Sequence, residues 1–223
     1  SEILGQQFVI DNRGGAAGQI GSEIVAQTPP DGYTVMVQST THVANAHLYK
    51  KLNYDVIKDF TGLTTLARQV GMLVVHPSLP VKTVKEVIAL ASKNAGELSF
   101  SSSGVYGALH MPMEMFMHAA KIKLRHVPTT GGGPAITQLL GGHVTMTAGG
   151  PAAISPHVKA GKLHTIVSWG AERHPNYPSV PTFRESGYDI TYYIWAGLFV
   201  PHGTPEAVTK VLRDAVRKGV ADP

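Results

Sequence analysis

Gly131-Gly132-Gly133 followed by Pro134 sets a stretch of bare backbone in front of a helix start. Residues without side chains let a ligand come close to main-chain N–H groups, and glycine also admits positive φ. Proline suits the first helical position, where its missing N–H costs nothing, so the spacing predicts a helix over 134–140. The unpaired N–H groups at such a start, with the positive end of the macrodipole behind them, suit an oxyanion. A flexible loop ahead of a helix has the same composition, so the motif leaves both readings open.

Hydroxyls cluster at three further places. Ser39-Thr40-Thr41, Ser101-Ser102-Ser103-Gly104 with Tyr106 close behind, and Thr129-Thr130 ahead of the triple glycine are rich in neutral donors. Ala148-Gly149-Gly150 adds bare backbone of the same kind. Serine and histidine together raise nucleophilic catalysis, but the chain has no G-x-S-x-G elbow. The enzymatic alternative is a hydrolase built on Ser102 or Ser103 with His110 or His126, while the serine run suits hydrogen bonding to a ligand and N-capping of the following helix equally. Gly14-Gly15-Ala16-Ala17-Gly18-Gln19-Ile20-Gly21 lacks the spacing of a dinucleotide fingerprint, and no lysine follows for a phosphate loop. His110 to His118 holds four methionines, a set that suits a soft metal such as copper(I). Helical geometry places Met113 and Met117 on the face of His110, and Met111 and Met115 on that of His118. Methionine also fills irregular cores, which is the reading adopted, so no metal, cofactor or catalytic residue is assigned.

Bulk properties narrow the class. The 223 residues carry a formal charge of +4, yet the 19 Lys and Arg are scattered, with no basic run longer than two. No phosphate-tracking stripe is present, and nucleic acid is not expected as a partner. The chain has no cysteine, which excludes disulfides and thiolate chemistry. No apolar segment approaches the ~20 residues of a membrane-spanning helix, and these residues do not open with a signal-peptide pattern.

The positioning elements alternate. β-favouring runs at 8–10, 34–37, 72–75, 98–101, 124–127, 144–147, 163–168 and 191–200 are separated by helical patterns at 18–27, 83–93, 108–120, 134–140, 152–160 and from 204 to the end. Thr83 with Glu86 forms a capping box, and Val208, Val211, Leu212 and Ala215 form the apolar stripe of the last helix. The uninterrupted run Met72-Leu73-Val74-Val75 predicts a strand buried on both faces, as in a parallel sheet. Alternation of this kind predicts α/β layers with parallel strands, whose ligands bind beyond the carboxyl ends. The hydroxyl and glycine clusters all follow predicted strands, so they fall on that edge.

Several segments in order resemble the receptor family of the tripartite tricarboxylate transporters, often called Bug proteins. They are 9–18 (Val-Ile-Asp-Asn-Arg-Gly-Gly-Ala-Ala-Gly), 30–34 (Pro-Asp-Gly-Tyr-Thr), 48–55 (Leu-Tyr-Lys-Lys-Leu-Asn-Tyr-Asp) and 76–81 (His-Pro-Ser-Leu-Pro-Val). His126-Val127-Pro128 through Gly131-Gly132-Gly133-Pro134-Ala135 to Leu140-Gly141-Gly142, and Pro156 to Leu163, complete the series. The resemblance implies a two-domain, type II-like periplasmic binding protein with mainly parallel sheets flanked by helices and a hinge between domains. It implies domain 1 at 1–75 plus 192–223 and domain 2 at 76–191, with crossings near 74–78 and 188–196. A small carboxylate, whether a di- or tricarboxylate, an acidic amino acid or an aromatic acid, would sit between the domains without catalysis. Delivery to membrane permease subunits, a periplasmic location and a monomeric state follow from the same resemblance. Ligand-binding residues are expected at Ser39, Thr40, Thr41, Ser102, Ser103, Gly104, Tyr106, Thr129, Thr130, Gly131, Gly132, Gly133, Gly149 and Gly150. The chain departs from the family where Thr129-Thr130 replaces a tyrosine–lysine pair, where Gly149-Gly150 replaces an Asp-Asn pair, and where Val105-Tyr106-Gly107 follows the serines. The match also implies that the family's first strand and proline–glycine loop precede Ser1 and that further residues follow Pro223.

Overall fold

A computed structural model describes residues 2–221. The chain divides into two units, one running to Arg68 and resuming at Trp195, the other spanning Gln69–Ile194. The sequence-based boundaries at 75/76 and 191/192 therefore stand against observed divisions at 68/69 and 194/195. Pairing explains the difference: the strand at 72–75 has both of its neighbours in the second unit's sheet.

The first unit holds helix α1 (Gln19–Ala26), strand β1 (Met36–Ser39), helix α2 (Thr41–Leu48) and most of the long strand β2 (Phe60–Val70), whose last two residues fall in the second unit. Its three-stranded sheet has the order β1-β8-β2, where β8 is Tyr193–Pro201 and runs antiparallel to β1. Val25, Met36, Tyr54 and Phe60 form one apolar cluster of this unit, and Leu63, Leu198, Val200 and Leu212 form another. Leu212 comes from the helix after β8 (Glu206–Ala221), whose expected extension over the last two residues lies outside the described chain. Val211, assigned to its apolar stripe, is exposed.

Phe8-Val9-Ile10 forms no strand, and Val9 and Ile10 are 84% and 78% exposed. A strand is held by its ladder, which strand-favouring composition by itself does not provide. Conversely, α2 and β2 were not legible. Thr41-His42-Val43-Ala44-Asn45 is poor in helix formers, and Phe60, Leu63 and Leu66 recur every third residue instead of alternating.

The second unit holds β3 (Met72–Val75), α3 (Val84–Lys93), β4 (Ser99–Ser102), α4 (Met111–Ala120), β5 (Arg125–Pro128), α5 (Gly132–Leu140), β6 (Met146–Gly149), α6 (Pro151–Lys159) and β7 (His164–Ser168). The helix at 206–221 is α7. The five-stranded sheet has the order β5-β4-β6-β3-β7. β4 is parallel to β5 and to β6, whereas β3 is antiparallel to both of its neighbours, so four strands point one way and β3 opposes them. The apolar run at 72–75 announces burial on both faces and is silent on direction, which corrects the parallel placement expected for it. Leu73 and Val75 enter a core with Phe100, Met113, Phe116 and Trp169; Met72 and Val74 enter another with Leu139, Ile154 and Leu163. Met113 is fully buried among these apolar side chains and Met117 packs at their edge, as gap-filling thioethers do.

The capping box of α3 forms as spaced, with Thr83 Oγ1 accepting from Glu86 N–H and the Glu86 carboxylate accepting from Thr83 N–H.

Candidate functional site

Register fixes which loops share an edge of the second unit. Ser102 lies opposite Pro128, and Ser101 opposite Thr147, so the parallel strands β4, β5 and β6 end together. The loops that follow, at 103–107, 129–131 and 150, therefore leave one edge and lead into α4, α5 and α6. The N-termini of α5 and α6 consequently point toward it.

The triple glycine differs in detail from its sequence reading. α5 starts at Gly132 with Gly131 as N-cap, so two glycines occupy the first turn and Pro134 stands third in the helix. The missing proline N–H is still harmless, because the first four amides of a helix have no intrahelical partner. None of the three glycines has a left-handed φ, so glycine is not required there for backbone conformation. Space distinguishes them: a Cβ on Gly133 would meet nothing within 4 Å, one on Gly131 only Pro134 Cδ at 3.9 Å, and one on Gly132 would touch Leu109 Cδ1 at 3.4 Å. Gly133 and Thr130 are exposed. The helix is seated by Ser101, whose hydroxyl donates to the Ala135 carbonyl at 2.8 Å inside the core.

Gly149 and Gly150 are a different case. Both are buried, and a Cβ would fall 2.5 Å from Ile154 Cγ2 at Gly149 and 2.4 Å from the Gln69 side chain at Gly150. These glycines are explained by close packing. Thr129 is likewise occupied, since its N–H donates to Ser102 O at 3.0 Å and its hydroxyl lies 2.8 Å from both Ser102 O and Gly131 O. It ties the loop after β4 to the loop after β5.

The loop at 103–107 is sharply folded. Gly104 and Tyr106 have φ of 113° and 59°, and a Cβ on Gly107 would fall 2.6 Å from Ser103 Oγ. Ser103 Oγ accepts from Leu109 N–H at 3.2 Å, a bond that holds the loop. Ser102 is fully buried, and its hydroxyl lies 2.6 Å from His126 Nε2 and 3.0 Å from Gly104 O. The His126 ring stacks on His110, with centroids 4.0 Å apart, and on Phe100 at 4.8 Å. His110 Nε2 lies 3.0 Å from Glu114 Oε1, while its Nδ1 accepts from Tyr106 N–H at 3.0 Å. Burial, with the neighbouring His110 second, pushes the His126 pKa down to about 4, and burial also lowers that of His110. Both rings are neutral at pH 7, so this edge presents dipoles instead of formal cations.

Catalytic geometry is met only in part. Ser102 and His126 are at nucleophile–base distance, but the nearby carboxylate, Glu114, pairs with His110, and no described carboxylate hydrogen-bonds His126. A triad needs its third group on the base. Glu114 itself escaped sequence reasoning; its place four residues after His110 was the available signal.

In the first unit, Ser39 ends β1, Thr40 is the N-cap of α2 and Thr41 its first residue. Ser39 Oγ and Thr41 Oγ1 are 3.1 Å apart, Thr40 Oγ1 accepts from Trp195 N–H at 3.3 Å, and Thr41 is buried. The same unit has a concavity of about 490 Å³ lined by residues of the paired strands β2 and β8, including Thr64, Arg68, Trp195 and Phe199. Gly197 also lines it, and a Cβ there would fall 3.1 Å from both the Trp195 and Phe199 rings.

Comparison with known proteins adds a family-level finding. A family model described as "Tripartite tricarboxylate transporter family receptor" matches residues 1–223. A Cupriavidus necator protein called "UPF0065 protein in gbd 5'region" is 36% identical over 223 residues, covering 100% of this chain and 68% of the relative. The chain thus spans about two thirds of the length of that relative. Among solved structures, Rhodopseudomonas palustris MatC with bound malate is 31% identical with a TM-score of 0.93, covering 100% of this chain and 76% of that one. R. palustris Rpa4515 with adipate is 32% identical with a TM-score of 0.91, covering 96% and 73%. The periplasmic binding protein BugD is 30% identical with a TM-score of 0.94, covering 100% and 75%.

Proposed function

Given that the chain belongs to the tripartite tricarboxylate transporter receptor family, whose fold is that of solute-binding proteins, we propose that it is an extracytoplasmic receptor for a small carboxylate. The observation that carries this is the open first turn of α5. Gly132 and Gly133 bring amides without intrahelical partners to the strand-end edge, with no side chain in front of Gly133. Thr130 and the loop at 103–107 supply further neutral donors, so one carboxylate would be held by dipoles and water more than by ion pairing. Rpa4515 and MatC are described with adipate and malate, which supports trying dicarboxylates first. Delivery to membrane permease subunits, with no chemical change to the ligand, is part of the proposal. Thermal-shift screening with malate, adipate, tricarboxylates, acidic amino acids and aromatic acids tests it. Stabilisation by at least one carboxylate is expected; no shift with any of them refutes the receptor reading.

The 2.6 Å contact between Ser102 and His126 favours one second reading, an esterase-type hydrolase. Hydrolysis of a chromogenic short-chain ester that disappears in Ser102→Ala would establish it. Under the receptor reading neither protein turns the ester over.

A further inference from the structure

We infer that His110 is a positioning residue of the carboxylate site, holding the loop at 103–107 through its unprotonated Nδ1 and releasing that loop in acid. The inference rests on the receptor reading for its functional consequence and on side-chain geometry for its mechanism. Tyr106 has a left-handed φ of 59°, a conformation that is strained for a residue with a Cβ. Its N–H donates to His110 Nδ1 at 3.0 Å. That bond fixes the imidazole tautomer: Nδ1 carries the lone pair, and the proton sits on Nε2, 3.0 Å from Glu114 Oε1. Neutral His110 therefore satisfies one donor and one acceptor with its two nitrogens. A second proton would have to enter at Nδ1, directly opposite the Tyr106 N–H, replacing a hydrogen bond by two facing donors.

The groups that face His110 are Glu114 from its own helix, His126 from β5, and the Tyr106 ring at 6.0 Å from the loop; Phe100 from β4 stacks on it without charge. Glu114 favours the charged ring, whereas burial and any charge on His126 oppose it. Protonation is therefore deferred below the usual histidine range and occurs on one ring at a time. The loop it controls abuts the loop before α5: a Cβ on Gly104 would stand 3.4 Å from Thr129 O, and Ser102 O accepts from Thr129 N–H. Release at Tyr106 is thus felt where the ligand amides are presented.

Asparagine and glutamine separate the two nitrogens. His110→Asn offers Oδ1 near the Nδ1 position and does not titrate, while His110→Gln reaches toward Glu114 and leaves Tyr106 N–H without its acceptor. Amide exchange at Tyr106, followed by NMR and corrected for intrinsic rates from pH 7 to 4, is the readout. The wild type should lose protection at least tenfold as the His110 ring titrates, His110→Asn should keep it across the range, and His110→Gln should lack it throughout. Unchanged wild-type protection after ring titration, or full protection in His110→Gln, overturns the inference. Affinity for malate or adipate should fall with acid more steeply in the wild type than in His110→Asn, which shares the ligand's own titration. Equal slopes overturn the functional link. If no carboxylate of the thermal-shift screen binds at any pH while the exchange pattern holds, the receptor reading fails and the loop mechanism stands.

Discussion

Replacing Gly133 with alanine separates two roles that glycine can play. The residue lies in the first turn of α5 with an ordinary helical backbone, and an added Cβ would meet no atom within 4 Å. The fold should therefore accept the methyl group, and the unfolded chain loses conformational freedom, so stability should rise by about 0.4–1 kcal/mol. For a chain of this size that is roughly 1–4 °C in Tm. A carboxylate approaching the Gly132 and Gly133 amides must use the same open space. Losing one charge-assisted hydrogen bond costs about 1.5–3 kcal/mol, or roughly ten- to a hundredfold in Kd. Calorimetric titration with the acid that gives the largest thermal shift, beside a melting curve of each protein, reads both quantities. A higher Tm with Kd within twofold of wild type would refute the placement of ligand at α5. A lower Tm would refute the claim of open space.

Gly107→Ala should behave oppositely, losing about 1–3 kcal/mol in urea unfolding, because its Cβ would meet Ser103 Oγ at 2.6 Å and two carbonyl oxygens at 3.0 Å. Thr83→Ala removes the capping box of α3 and should cost about 0.5–2 kcal/mol by the same measurement, with ligand affinity unchanged. Acid should destabilise the fold. His42, His110 and His126 all have lowered folded pKa values, so the unfolded chain binds more protons below its histidine pKa of about 6.5, and stability falls from there toward pH 4. His42→Phe, placed among Tyr54, Phe60 and Phe199, should reduce the Tm loss between pH 7 and 5 if that accounting is right.

What the sequence determined by itself was local. Capping at Thr83, strand β3, the helices α3 to α7 and the bare backbone at 131–133 depend on spacing along the chain, and covalent geometry turns spacing into periodicity. Tertiary structure decided everything that needs two distant segments. The direction of β3 follows from its neighbours, and Phe8-Val9-Ile10 has strand composition without forming a strand, because composition alone does not supply a ladder. The glycine clusters looked alike as sequence, yet Gly149 and Gly150 are filled by Ile154 and Gln69 while Gly133 opens to space. Ser102 meets His126 across 24 residues, and His126 meets His110 across two elements. A residue's type states what bonds it can make; only the fold supplies the partner, the burial and hence the protonation state that make one of those bonds matter.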